Sequence, residues 1–476
     1  MQGRAVRGLI GVLAAVLGLG GCQSGYRNFA DAYAASFTSG DYQGASGLAG
    51  AQAERKAGDK VNRVVYNLEA ARAAQLAGDL EASRVYFSRV HEDVRPYLDS
   101  QAEAKITEAG ATTLVNQTTA TYRATPVERV MATALNAVNC MGMGDLDAAR
   151  VELNLTRDWQ QDAVRRFGSE IESATAGLES DAAGRGVPVK EEGVMAAVAP
   201  YYQGLADMRA YADFGNPFAS HLRGVFLLAT AADGDDLERA RFDLRQVVAM
   251  EPGAEPVVTP DLSLIESRSS LEPTVWVYFL TGRAPSLEEI RLDIPIPFGN
   301  VNYVSAAFPR LVFHQDFVAG MTVQTGDGSV EAVALADVDA MVAAEFNKRL
   351  PKIVMQEVVS SALKVGATYA AREEGGGWAQ LAGIVYQALT TAADLRNWTG
   401  MPKRVLVARV PTPSDGRVTA RAGAVDASFS VAPGESHIVV VSLPSSASRA
   451  ASVITAGLDV QHAGRSARQE EVLDEP

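Results

Sequence analysis

Four copies of a short Gly-Asp turn set the terms on which this chain can fold. They read Gly40-Asp41-Tyr42, Gly78-Asp79-Leu80, Gly144-Asp145-Leu146 and Gly234-Asp235-Asp236-Leu237. Each lies between an apolar-periodic run and a second run with alanine at its first inward positions: Ala45, Ala82, Ala148 with Ala149, and Ala240. Glycine closes a helix in the left-handed conformation that side chains with a Cβ resist, and the following aspartate caps the amides of the next helix. Each copy therefore predicts a helical hairpin, and their repetition predicts a helical solenoid from about Asn28 to Met250.

The apolar stripes agree. Leu80, Phe87, Val90 and Val94 share one helical face, as do Leu146, Ala149 and Leu153, and Leu237, Ala240, Leu244, Val247 and Val248 make the cleanest stripe. Leu222, Val225, Phe226 and Ala229 form the facing helix of the last hairpin. The architecture expected is a solenoid of the tetratricopeptide (TPR-like) kind, a class that serves mainly to bind macromolecules. The turns are about 38, 66 and 90 residues apart, so a degenerate extra repeat is expected around Gln101 to Thr121 and a polar surface loop at Gly177 to Glu192. Tyr201, Tyr202 and Tyr211 follow that loop, either as core or as the lining of a partner groove.

The first residues carry an address. Arg4 and Arg7 precede the apolar run Leu9 to Leu19, too short to span a bilayer comfortably, which predicts a cleaved signal over residues 1–21. Leu19-Gly20-Gly21-Cys22 resembles the lipobox of bacterial lipoproteins and implies that Cys22 becomes the acylated first residue of the mature chain. Several acyl chains on one residue anchor where a single chain binds only reversibly. Gln23, in place of an Asp that would signal inner-membrane retention in enteric bacteria, points to the periplasmic face of the outer membrane.

Composition shifts near Glu251-Pro252-Gly253. Pro252, Pro256 and Pro260 read as a linker, and β-type runs follow. Thr274 to Leu280 is a strand rich in branched and aromatic residues, and Ile290 to Ile294 alternates. Met321 to Gln324 and Val330 to Val333 flank the hairpin signal Gly326-Asp327-Gly328. A helical block is expected over 335–396, with Asp337 capping a first helix, Pro351 opening a second, and Gly375-Gly376-Gly377 separating a third near Trp378. Strands resume at Arg404 to Ala408, Gly416 to Arg421, Ala427 to Val431 and Ser436 to Val441, suggesting a small immunoglobulin-like sandwich in one sheet system with the earlier strands. The expected fold is thus multidomain α and β. A TPR-like helical domain (22–255) precedes a β-sandwich-like domain with a helical insertion (256–445), and the tail 446–476 is expected to be disordered.

The search for chemistry yields no reaction. The formal net charge of −14 argues against nucleic acid, which needs clustered Lys and Arg. With Cys22 acylated, Cys140 remains a single thiol read as a small buried hydrophobe. The five histidines are scattered, and no zinc-helix spacing, nucleophile elbow or P-loop occurs, so no catalytic residue, metal or cofactor is assigned. Glu373-Glu374, Asp235-Asp236 and Glu191-Glu192 read as solvated loop pairs rather than as a glycosidase dyad. Asp394, Arg396 and Trp398 are the most interesting cluster, either a buried Asp–Arg pair tying the helical block to the next strand or a peptide or glycan contact.

Four stretches carry a resemblance: Thr121-Tyr122-Arg123-Ala124-Thr125-Pro126-Val127-Glu128-Arg129, Asn216 to Gly224, Gly282-Arg283-Ala284-Pro285, and Asp394-Leu395-Arg396-Asn397-Trp398. Together they resemble an uncharacterised family of bacterial lipoproteins with tetratricopeptide-like repeats and a β-rich C-terminal domain, members of which tend to be encoded beside lipoproteins of envelope assembly. The resemblance implies an envelope role and carries no catalytic residue. The expected function is an outer-membrane-anchored periplasmic scaffold whose partners are the bilayer, through Cys22, and other envelope proteins. Non-catalytic peptidoglycan binding, and less strongly a cell-wall hydrolase, are the alternatives.

Overall fold

A computed structural model describes residues 26–98, 120–184, 187, 189–205, 208, 211, 215–295, 303–375 and 392–458. The leader with Cys22, most of the segment read as an extra repeat, the helix expected near Trp378 and the chain after residue 458 lie outside the described residues.

The N-terminal half is helical. Helices α1 (26–39), α2 (Tyr42–Arg55), α3 (Arg63–Leu76) and α4 (Leu80–Val94) are followed by α5 (Pro126–Gly142) and α6 (Leu146–Gly184). Then come α7 (Glu191–Val198), α8 (Pro217–Ala229), α9 (Gly234–Met250) and α10 (Glu255–Ser267). Three of the four turns form as their residues dictate. Gly40, Gly78 and Gly144 sit at φ of +83°, +85° and +77°. Asp41, Asp79 and Asp145 accept from the amides of Gly44, Ala82 and Ala148 at 2.9–3.0 Å. The fourth turn is built differently. Gly234 is the first helical residue of α9, and Asp233 caps it by accepting from the Asp236 amide. The residue three places after the turn's Tyr or Leu is the close-contact position: Ala45, Ala149 and Ala240 are fully buried there. In the second hairpin that place belongs to Ser83, whose hydroxyl donates to the Ala71 carbonyl, and not to Ala82.

Two expected irregular stretches are helical. Gly177 to Gly184 continues α6, and Glu191 already starts α7. Leu178 and Ala182 pack into a side core there, and that burial outweighs the cost of about 1 kcal/mol for a mid-helix glycine. The proline-marked linker is α10. Pro256 occupies its first turn, where a missing N–H costs nothing, and the burial of Val257, Val258, Asp261 and Ile265 offsets the bond lost at Pro260.

The C-terminal half is built on a mixed five-stranded sheet. Strands β1 (Thr274–Thr281), β2 (Ser286–Ile294), β3 (Val304–Val312), β4 (Thr322–Thr325), β5 (Gly328–Glu331) and β6 (Val333–Asp337) precede α11 (Val338–Gly375). After it come β7 (Arg404–Pro411), β8 (Arg417–Ala422), β9 (Val425–Ser430), β10 (His437–Leu443) and β11 (Ser452–Gly457). The main sheet runs β11-β10-β1-β7-β6, a second sheet runs β5-β4-β8-β9, and β2-β3 is a separate ribbon. Early and late strands thus share one sheet, as expected, with β1 parallel to β10 and antiparallel to β7. That parallel pair, and a main sheet covered by helices on one face, differ from an antiparallel immunoglobulin-like sandwich. Residues 446–476 are not wholly a tail, since Ser452–Gly457 completes the sheet beside β10. Asp337 does cap α11 by accepting from the Ala340 amide, but Pro351 lies inside one continuous helix. The block 335–396 opens on the end of β6, and residues 392–398 are irregular rather than helical.

Every residue of β1 is buried, and its two faces serve two cores. Trp276, Tyr278 and Leu280 join Val405, Val407, Ile438 and Val440 against the helices, in a single core that reaches back to Tyr33 and Leu68. Val275, Val277 and Phe279 join Leu406, Ala408, Val439 and Val441 against the four-stranded sheet. A strand buried on both faces reads as a continuous apolar run, as Thr274 to Leu280 does. A third core joins α11, α7, the end of α6 and the β2-β3 ribbon.

Candidate functional site

The inner helices α3, α5 and α8 carry charged and polar side chains on otherwise apolar sequences, and those of α3 and α5 converge on one irregular segment, residues 392–403. Glu69 of α3 is 2% exposed. It accepts from the Thr399 amide and hydroxyl at 2.7 Å each and from the Gly400 amide at 3.1 Å. Glu128 of α5, equally buried, accepts from the Trp398 amide at 2.8 Å, from the Tyr122 hydroxyl and from the Thr125 amide. With Thr125 it closes a capping box at the start of α5. Arg72, one turn beyond Glu69, donates to the Gly400 carbonyl and to Ser442 of β10. A strap of C-terminal backbone is therefore held in a groove of N-terminal helices by buried carboxylates and a guanidinium.

The Asp394, Arg396 and Trp398 cluster is part of this strap. Asp394 holds Arg396 through both carboxylate oxygens at 2.7–2.8 Å, while Arg396 Nη1 donates to Val61 O, Asn62 Oδ1 and Ala120 O. Trp398 is fully buried, edge-on to Phe87 at 6.0 Å between centroids. The pair does tie chain segments together, but it ties the strap to α3 and the start of α5. The three tyrosines do not form a shared groove. Tyr201 is exposed; Tyr202 is core, donating to the Pro309 carbonyl beside Phe346; Tyr211 pairs Glu251 and accepts from the Asp337 amide.

The other motif residues are also spoken for. His221 of α8 bonds the Tyr278 hydroxyl at 2.7 Å, and burial pushes its pKa down to about 3, so it stays neutral. Arg223 pairs with Asp243 and donates to Asn154. Asp261 of α10 accepts from the Trp276 indole at 2.8 Å and from Arg409 at 2.9 Å, stitching α10 to β1 and β7. Lys403, at the end of the strap, pairs with Asp339.

Burial, opposed by the donors of Thr399, Tyr33 and Gly400, pushes the Glu69 carboxyl up to about 7. Burial likewise raises Glu128 and Glu345. Shifts with this cause, on groups that face their own chain's amides, report desolvation and need no catalytic cleft. Among the described residues, no group of three or more His, Cys, Asp and Glu side chains could hold a metal ion. A half-open cavity beside Phe87, Arg129 and Trp159 has a volume of about 10 Å³, room for a water and not for a metabolite. Of the paired carboxylates, Asp236 is ion-paired with Arg150 and Glu191 lies in the first turn of α7. Cys140 is buried, and desolvation pushes its thiol up to about 11. In the native protein at pH 8 it is expected to resist iodoacetamide for hours and to react once guanidinium unfolds the chain, as intact mass would record.

Sequence reasoning missed Glu69, Arg72 and Glu345. A signal was present for the first two: Glu69 and Arg72 are the charges left facing inward on Val64-Val65-Tyr66-Asn67-Leu68-Glu69-Ala70-Ala71-Arg72-Ala73-Ala74, a helix with apolar residues on every side. Such a helix is buried all round, so its charges require partners from elsewhere in the chain.

No protein-family model, no curated protein and no solved structure matches this chain.

Proposed function

We propose that this chain is a lipid-anchored scaffold of the bacterial envelope, held by acylated Cys22 on the periplasmic face of the outer membrane. On this reading the four helical hairpins are a tetratricopeptide-like solenoid and the paired sheets a small sandwich docked into it. A membrane-confined adaptor of this kind acts by raising the effective concentration of the proteins it holds.

The observation that carries the protein-binding reading is a recurrence on the outer helices. Val85, Val151 and Phe242 stand five residues after the Leu of their Gly-Asp turns, and all three are large, apolar and 46–65% exposed. Leu48, 43% exposed, holds the neighbouring position on α2. Each hairpin thus offers one apolar side chain from its second helix, while the inner helices are filled by the protein's own strap and sheet. The outer face of the hairpins is the surface offered to a partner. The described residues contain no helix long and apolar enough to cross a membrane.

The test is fractionation of wild type and Cys22→Ser from cells, with crosslinking from photoreactive groups at positions 85, 151 and 242. The wild type is expected in the membrane fraction, with Cys22→Ser lost from it, and with reproducible links to one envelope protein. Membrane association that survives Cys22→Ser would sink the anchor. Links to glycan fragments alone would replace the adaptor by a wall-binding protein.

A further inference from the structure

The Gly-Asp turns and the N-terminus lie at opposite ends of the hairpins. α1 and α2 are antiparallel, so Tyr26 at the start of α1 sits beside the α2–α3 loop, 56–62: the Tyr26 and Tyr66 rings are 6.1 Å apart. Arg396 bridges that loop to Ala120, the Tyr122 amide donates to Val61 O, and Arg63 pairs with Asp93, which brings the end of α4 and the start of α5 to the same place. The turns gather at the other end. Gln43 donates to the Ala77 carbonyl, Arg84 pairs with Asp145, and Arg150 pairs with Asp236.

The two ends differ in charge. Every cap of the turn end is an aspartate, joined by the exposed Glu81, Asp147 and Asp235 and outnumbering the bases Arg84, Arg150, Arg239 and Arg449 there. The anchor end exposes, wholly or in part, Arg27, Arg55, Lys56, Lys60, Arg95 and Arg123. Among the described residues its acids are Glu54, Asp59, Glu92 and Glu289, besides Asp93 on Arg63 and Asp394 on Arg396. Arg27 and Lys56, themselves about half exposed, reach Glu289 and Asp59 only at 3.9 Å, beyond hydrogen-bond distance. In a chain of net charge −14, this end is the exception.

Chain length decides what that end meets. Three residues separate Cys22 from Tyr26, and the four Cα-to-Cα steps reach at most about 14 Å. The 14-residue helices α2 and α3 put the acidic turns roughly 21 Å farther away, beyond the screening length of about 8 Å at physiological salt.

From the short tether and the charge of the end it emerges from, we infer that the α2–α3 loop end of the hairpins lies on the bilayer and contacts anionic phospholipid headgroups, with the acidic turns held away from them. This inference rests on acylation of Cys22 and deepens the anchoring reading: the lipid fixes the protein's orientation as well as its location. The outer helices α2, α4, α6 and α9 then stand along the membrane normal, with their apolar side chains presented sideways to the periplasm.

The test uses the full mature chain, acylated in the cell and reconstituted into vesicles of phosphatidylethanolamine and phosphatidylglycerol (3:1) or of phosphatidylcholine alone. A fluorophore is attached at Gly58→Cys, where a Cβ meets nothing within 4 Å, or at the exposed Glu81→Cys of the far end. Buried Cys140 does not compete for label. With headgroup spin-labelled lipid, several-fold stronger quenching is expected at 58 than at 81. The excess at 58 should fall in phosphatidylcholine, in 0.5 M NaCl and in the Lys56→Glu/Lys60→Glu background, where the headgroup contact weakens about tenfold or more. Equal quenching at the two positions, or quenching at 58 indifferent to phosphatidylglycerol and salt, would overturn the orientation while leaving the anchor intact. A chain without acyl mass on Cys22 that does not float with vesicles would overturn the anchor and the orientation together.

Discussion

Replacing Glu69 by alanine is expected to cost about 3–5 kcal/mol, because it leaves the Thr399 and Gly400 amides and the Thr399 hydroxyl facing an emptied, water-free site. For a protein of this kind that corresponds to a fall in Tm on the order of 10 °C. Glu69→Gln keeps the volume and one acceptor but turns an NH2 group towards those same donors, so its cost should be smaller, and it carries a pH signature. Burial raises Glu69 from its ordinary 4.5 to about 7 in the folded state, so between those values the native chain binds more protons than the unfolded one. The stability this contributes is fully present below pH 4.5 and is lost as pH rises through 7, roughly 3 kcal/mol over the whole window. Glu152 and Asp339, pushed up by burial to about 7 and about 6, act in the same direction. His221 and His314, pushed down by burial to about 3 and about 4, act in the opposite direction, so the Glu69 contribution is read from the variant: Glu69→Gln should cost less at pH 8 than at pH 5. Thermal melts of the three proteins at both pH values decide this. Equal costs of Glu69→Gln at the two values would remove the pH coupling, and a Tm change under 1 °C for Glu69→Ala would show that the strap is held by something else.

Severing the chain between α10 and β1 should have the larger effect. The inner helices α3, α5 and α8 are buried along nearly their whole length, and the sheet supplies Trp276, Tyr278, Val407, Ile438 and Val440 as much of their cover. Exposing five such side chains costs about 10 kcal/mol at 1.5–3 kcal/mol each, as much as the net stability of an ordinary domain. Expressed alone, residues 26–267 and residues 268–458 are each expected to lack a cooperative thermal transition and to bind a hydrophobic dye. Co-expressed, they are expected to co-purify one to one. If residues 26–267 alone melted at the temperature of the intact chain, the helical half would be an independent domain and the shared core an incidental contact.

That expectation departs from a division into a helical domain and a β-rich domain at residue 255, and the reason lies in which signals are local. Composition changes sharply near Pro252, but composition reports secondary structure, and a core can cross from helices to strands. Pro256 and Pro260 mark the first turns of a helix as readily as a linker, and only the buried Asp261, tied to Trp276 and Arg409, distinguishes the two. The strand at Ser452–Gly457 was hidden for a related reason: Ser452-Val453-Ile454-Thr455-Ala456-Gly457 is weakly apolar, and its place in the sheet comes from pairing with β10.

What the sequence determined by itself was local and periodic. The left-handed glycines at 40, 78 and 144 and their aspartate caps form wherever those residues follow an apolar helix, because the backbone preference is intrinsic to them. The all-apolar run at Thr274 to Leu280 likewise demanded a strand buried on both faces. Tertiary structure alone decided what fills the hairpins' inner surface. Glu69 and Arg396 lie more than 300 residues apart in the chain; Arg396 has Asp394 beside it, but only folding brings Thr399 to Glu69 and Val61 to the remaining nitrogen of Arg396. A buried charge states in sequence that it needs a partner and never says which, because the energy that selects the partner, desolvation repaid by hydrogen bonds, exists only once the chain has closed around it.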